Sequence, residues 1–77
     1  MKLPRDLSAK ELIKYLSKYG YQVTRQTGSH IRLTRISNAD VHHITIPNHN
    51  PLRIGTLASI IKDACSHLGI SKEELFS

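Results

Sequence analysis

Between Tyr21 and Pro47 the chain carries three short stretches of alternating residues, cut apart by turn-forming clusters. No other feature constrains the fold as much. Tyr21-Gln22-Val23-Thr24-Arg25-Gln26 alternates and is rich in β-formers. Thr27-Gly28 supplies a turn, since glycine takes positive φ without steric cost. Residues 29–36 then read as a second strand. Successive strand side chains face opposite ways, so Ile31 and Leu33 point to one side and His30, Arg32 and Thr34 to the other. Ser37-Asn38-Ala39-Asp40 is a second turn cluster. Val41 to Ile46 makes a third strand, closed by Pro47, which has no N–H to give a ladder. Three consecutive strands with short turns imply an antiparallel meander. Its core face would carry Tyr21, Val23, Ile31, Leu33, Ile44 and Ile46.

Helical periodicity flanks this block on both sides. Residues 1–7 read as a short lead-in. Ser8-Ala9-Lys10-Glu11 is a capping box, in which the Ser8 hydroxyl accepts from an early N–H and Glu11 reaches back to the cap. Leu7 and Leu12 occupy hydrophobic-staple positions. Leu12, Ile13 and Leu16 follow helical spacing, while Lys10, Lys14 and Lys18 form a row on another face. Gly20 fits a left-handed residue after the helix end, so the first helix spans about 9–19. After the Pro47-to-Pro51 loop, Leu57, Ile60, Ile61, Ala64, Cys65 and Leu68 predict a second helix starting between Arg53 and Thr56 and closed by Gly69. Ser71-Lys72-Glu73-Glu74 is another capping box, opening a last short helix. The order is α-β-β-β-α. It predicts a two-layer α+β domain, with a three-stranded antiparallel sheet and two helices on one face. The other sheet face has no predicted cover. His30, Arg32, Thr34, His43, Thr45, Gln22 and Thr24 fall there.

Seventy-seven residues are expected to form one domain of modest stability. No apolar run approaches the roughly 18 residues of a membrane span. The start has no apolar leader segment, and a lone cysteine, Cys65, forms no internal disulfide. These features predict a cytoplasmic protein without a membrane partner. Lys and Arg number 11 against 6 Asp and Glu, a net charge of +5. That balance favours a polyanionic partner, nucleic acid foremost.

The five histidines, His30, His42, His43, His49 and His67, invite a metal reading, but their spacing opposes it. His42 and His43 are neighbours on a strand and face opposite ways. There is no His-x-x-x-His pair and no cysteine pair. No metal and no other cofactor is expected. Cys65 lies on the apolar stripe of the second helix and reads as a small core residue. His30 differs from the other histidines. It follows a Gly-Ser turn, should face solvent and shares its row with Arg32. An imidazole exchanges protons near neutral pH, and RNA brings its own nucleophile, the 2′-OH. An imidazole beside a guanidinium is a minimal set for cleaving RNA. On spacing alone, a merely polar strand residue stays open as the alternative.

Gly28-Ser29-His30 at the head of the second strand resembles the signature of the HicA toxin family, the YcfA-like small mRNA interferases. Similar matches lie in Lys10-Glu11-Leu12-Ile13, in Thr45-Ile46-Pro47-x-His49, in Gly55-Thr56-Leu57 and in the stretch from Ala64 to Ser71 with Phe76. Their order and spacing cover nearly the whole chain. Two departures are the longer Cys65-Ser66-His67-Leu68 segment and Arg32, which stands where a histidine or aromatic often occurs. The resemblance implies a double-stranded-RNA-binding-like fold and a type II toxin that cleaves mRNA. It makes His30 the essential residue and a HicB-like antitoxin the protein partner. Candidate RNA contacts are Gly28, Ser29, Arg25, Arg32 and Lys14, with Lys10, Lys18 and Arg53 behind them. For the second acid–base group, His43 and His49 both stay open, although His49 reads first as a residue that shapes its loop. Two rivals remain: a non-catalytic RNA-binding module of the same fold, and a protein-binding adaptor, which should show an exposed apolar patch, whereas nearly every large apolar residue here is expected in the core.

Overall fold

The computed structural model describes residues 6–38 and 40–77; the lead-in over residues 1–5 and Ala39 of the second turn lie outside them. The elements run α1 (Ala9–Ser17), β1 (Gln22–Thr27), β2 (His30–Ser37), β3 (Asp40–Pro47), α2 (Ile54–Leu68) and α3 (Lys72–Leu75). The capping signals act as the sequence implies. At α1, the Ser8 Oγ accepts from the Glu11 N–H at 3.1 Å, and the Ser8 N–H donates to the Glu11 carboxylate at 3.0 Å. Those bonds satisfy donors that the first helical turn leaves open, and they hold the Glu11 carboxyl below its usual range. Ser71 and Glu74 repeat the arrangement at α3. Gly69 ends α2 with φ 71°, in the left-handed region where a Cβ is disfavoured.

The sheet is antiparallel in the order β1-β2-β3. Odd residues of β2 face the helices: Ile31 lies opposite Ile46 and Leu33 opposite Ile44. These four join Leu12 and Leu16 of α1 and Leu57, Ile60, Ile61 and Ala64 of α2 in one buried cluster. Both helices therefore lie on one sheet face. α3 docks by Leu75, by a Tyr15–Phe76 edge-on ring contact at 4.8 Å, and by the Tyr19 hydroxyl donating to the Glu74 carbonyl at 2.8 Å. Leu33 is wholly buried at the centre of this cluster, where truncation to alanine typically costs about 2–5 kcal/mol.

Two expectations need correction. Val23 faces the helix side by register, opposite Leu33, but stays 51% exposed. The reason is that α2 lies over β3, leaving β1 an uncovered edge. Nor does the core take nearly every large apolar residue, since Ile36, Val41 and Ile54 are also exposed. Ile36 and Val41 are cross-strand partners, and their even–odd positions put them on the face away from the helices.

Candidate active site

The site is built around the β1–β2 hairpin. Thr27 pairs with His30, so the two-residue turn is Gly28-Ser29 rather than the expected Thr27-Gly28. Gly28 has φ 57° while Ser29 keeps a negative φ, the sign pattern of a type II′ turn that suits the twist of a hairpin. This turn fixes His30 as the first residue of β2. Its side chain belongs to the face opposite Ile31, away from the helices, and it is exposed. Among the described residues no hydrogen bond or ion pair engages the ring.

Next to it, β1 does something that alternation does not foretell. The register slips between Val23 and Arg25, so Thr24 is a bulge residue. Beyond it Arg25 stands directly opposite Arg32, and both share the face of His30. The Thr24 hydroxyl is taken up in the bulge, 2.7 Å from the Thr34 hydroxyl and 3.5 Å from the Arg32 carbonyl. Like charges directly opposite each other destabilise a strand pair unless something negative lies between or over them. Among the described residues no ion pair reaches Arg25 or Arg32. The Arg32 Nε is buried with no hydrogen-bond partner, an exception to the rule that buried donors are satisfied. Residues 12–39 contain Lys14, Lys18, Arg25, Arg32 and Arg35 and not one acid. The site therefore offers an open imidazole beside two uncompensated guanidiniums.

Further along the same face, Thr34 lies opposite His43. Their side chains meet at 2.9 Å and extend the Thr24–Thr34 link into a chain across all three strands. These neighbours close over Thr34, which is 8% exposed and so buried rather than solvent-facing as expected. Four residues separate His30 from Thr34, about 13 Å at strand rise. His43 is thus remote from His30.

His49 is placed differently. Pro47 is the cross-strand partner of His30. The chain then continues alongside the hairpin, with the Asn48 N–H donating to the Ser29 carbonyl at 2.6 Å. The His49 N–H donates to the Pro47 carbonyl at 2.8 Å, and the His49 carbonyl accepts from the Ala9 N–H at 3.1 Å. The exposed His49 is therefore tied by its backbone to the end of the sheet that carries His30.

His42 turns to the helix side, opposite Arg35, as the opposed directions of His42 and His43 require. Its Nε2 donates to the Asp63 carboxylate at 3.2 Å, so Nδ1 is left to accept from the Tyr21 hydroxyl at 2.7 Å. Its ring stacks on His67 at 4.1 Å and 13°. Burial pushes the Tyr21 phenol up to about 12, with Arg35 pulling the other way. This network joins Tyr21, just ahead of β1, to β3 and α2, and nothing in the sequence links its members.

Lys14 belongs to α1, in the layer across the sheet from His30, where it shares a shallow groove with Glu11, Tyr15 and Lys18. Lys10 is on the same helix, Lys18 is its C-cap, and Arg53 caps the start of α2. Cys65 is half-buried, and burial raises its thiol above the usual range, which disfavours the reactive thiolate. Among the described residues no group of three or more His, Cys, Asp or Glu side chains is arranged to hold a metal ion, and no helix is long and apolar enough to cross a membrane. A protein-family model described as "HicA toxin of bacterial toxin-antitoxin" matches residues 9–65. No curated protein and no solved structure matches the chain.

Proposed function

This chain belongs to the HicA toxin family of bacterial toxin–antitoxin systems, and we propose that it exerts its toxicity in the cytoplasm as a metal-independent endoribonuclease acting on mRNA. The observation that carries the reading is the outer-face cluster of exposed His30 and Arg25 with half-buried Arg32, which no ion pair balances among the described residues. A phosphodiester supplies what that cluster lacks. Its anionic oxygens fit between two guanidiniums that otherwise repel.

In the reaction, the His30 imidazole takes the proton of the ribose 2′-OH. The freed oxygen attacks the adjacent phosphorus, the bond to the 5′-oxygen breaks, and a 2′,3′-cyclic phosphate and a 5′-hydroxyl result. Arg32, with Arg25 beside it, stabilises the charge that builds on the phosphorane-like transition state. Gly28 has no side chain to hold the RNA backbone off, and Ser29 offers a hydroxyl to phosphate. Lys14 is too far round the fold to share this phosphate and would serve only a longer RNA.

The protein partner is the antitoxin, here a HicB-like protein. Acidic side chains on its docking surface would match the uncompensated arginines and deny them to RNA.

The test is purified His30→Ala against wild type on a labelled oligoribonucleotide. Cleavage falls by at least about 10²-fold, the usual range for loss of an acid–base group. Near-wild-type cleavage by the variant ends the assignment. Salt-dependent RNA affinity with no product from either protein reduces the chain to an RNA-binding module.

A further inference from the structure

Proton removal from the 2′-OH leaves half of the cleavage unaccounted for, because the 5′-oxygen departs poorly as an alkoxide. We infer that His49 is the acid that protonates this leaving oxygen, an assignment that rests on the ribonuclease reading above. Three observations carry it, beginning with position. Pro47 stands opposite His30 at the cross-strand Cα separation of about 4.5–5.5 Å, and His49 lies two residues further, at most about 7 Å more. Two imidazoles on backbones within about 12 Å can approach one phosphate from its two sides, as in-line displacement requires.

The second observation is anchorage. Hydrogen bonds from Asn48 to Ser29 and from Ala9 to His49 hold this loop against both the hairpin and the start of α1. A side chain carried on a backbone held at both ends is presented at a defined place. The third is that the remaining histidines are spent or distant. His42 is bonded at both nitrogens and stacked on His67 on the helix side. His43 is bonded to Thr34, four residues along the strand from His30. His49 is exposed, and among the described residues no hydrogen bond or ion pair takes its ring.

The step balances. The O2′–P bond forms as the P–O5′ bond breaks. His30 gains the 2′ proton, and the imidazolium of His49 gives its proton to O5′. The next turnover needs only proton exchange with water.

The experiment compares two oligoribonucleotides of one sequence, one with an ordinary phosphodiester and one whose bridging 5′-oxygen at the cleavage position is sulfur. A thiolate leaves without help from an acid. His49→Ala is expected to cut the ordinary substrate at least about 10²-fold more slowly and to recover most of that loss on the sulfur substrate. His30→Ala should stay slow on both. His49→Gln, which keeps a polar side chain, should behave as His49→Ala, and the circular dichroism of both should match wild type. Two outcomes overturn the assignment while leaving His30 as the base: cleavage of the ordinary substrate by His49→Ala within about threefold of wild type, or an equal deficit on both substrates. A wild-type protein that cleaves neither substrate overturns the ribonuclease reading and this inference with it.

Discussion

His30 and His42 sit on neighbouring strands of one sheet in opposite circumstances. His42 has a partner at each ring nitrogen and a second imidazole stacked on its face, and it ties β3 to Tyr21 and α2. His30 is exposed on the other face with two arginines near it, and among the described residues no hydrogen bond or ion pair takes its ring. The contrast teaches that residue type says little and surroundings say much. A ring engaged on every side holds the fold together. A ring without partners, among charges the fold leaves unbalanced, is available to a ligand.

The sharpest way to break this contrast is to compare activity with stability. His30→Ala should cost at least about 2.7 kcal/mol of transition-state stabilisation, the equivalent of 10²-fold, with the melting temperature little changed. A large fall in melting temperature would mean that His30 is structural after all. His42→Ala should show the reverse. It strands the part-buried Tyr21 hydroxyl and removes the ring that stacks on His67, and should cost about 1–3 kcal/mol, a drop of roughly 5–15 °C in a domain of this size. Cleavage per folded molecule should stay within a few-fold of wild type. Differential scanning fluorimetry beside the oligonucleotide assay reads both quantities.

A smaller effect sharpens the charge side of the comparison. Arg25→Ala should weaken RNA binding and make the log–log salt dependence shallower by about 0.7–0.9, the contribution of one lost phosphate contact. Removing one of two facing cations should leave stability unchanged or slightly raised. Titrating a labelled oligonucleotide into His30→Ala and His30→Ala/Arg25→Ala at several salt concentrations measures this without turnover. A drop in stability would mean that Arg25 serves the fold.

The smallest effect at neutral pH belongs to Tyr21. Tyr21→Phe removes a single hydrogen bond to His42, worth about 1 kcal/mol. Its pH dependence says more. The folded phenol titrates at about 12, above the ordinary 10, so the fold favours the protonated form. This contribution is complete below pH 10 and disappears as pH rises from 10 through about 12. Urea unfolding across that alkaline range should show a decline in wild type that Tyr21→Phe lacks.

The fold was legible because its signals are local. Capping boxes, a glycine in the left-handed region and strands of period two sit within a few residues of the bonds they predict. The core face of β2 and β3 followed from the alternation of Ile31, Leu33, Ile44 and Ile46 with polar neighbours. The site was legible only in part. His30 could be assigned a face from its own strand. The pairing of Arg25 with Arg32 could not, because plain alternation from Tyr21 and Val23 carries Arg25 toward the helices. The bulge at Thr24 reverses that, and its only sequence trace is a threonine able to bond sideways. Val23 misled for a related reason: burial depends on which strand a helix covers, and a strand's own pattern does not contain that information. The Tyr21–His42–Asp63 network and the clamp of Asn48 on Ser29 join residues about 20 apart in sequence and had no local signal.

The extra residue at Thr24 acts as a joint in an edge strand. Ahead of it, β1 turns the half-exposed Val23 to the helix side, opposite Leu33. Behind it, β1 answers to the hairpin and presents its guanidinium outward. Because the two halves keep separate registers, selection can alter what the second half offers to a nucleic acid or an inhibitor while the first half goes on anchoring the sheet.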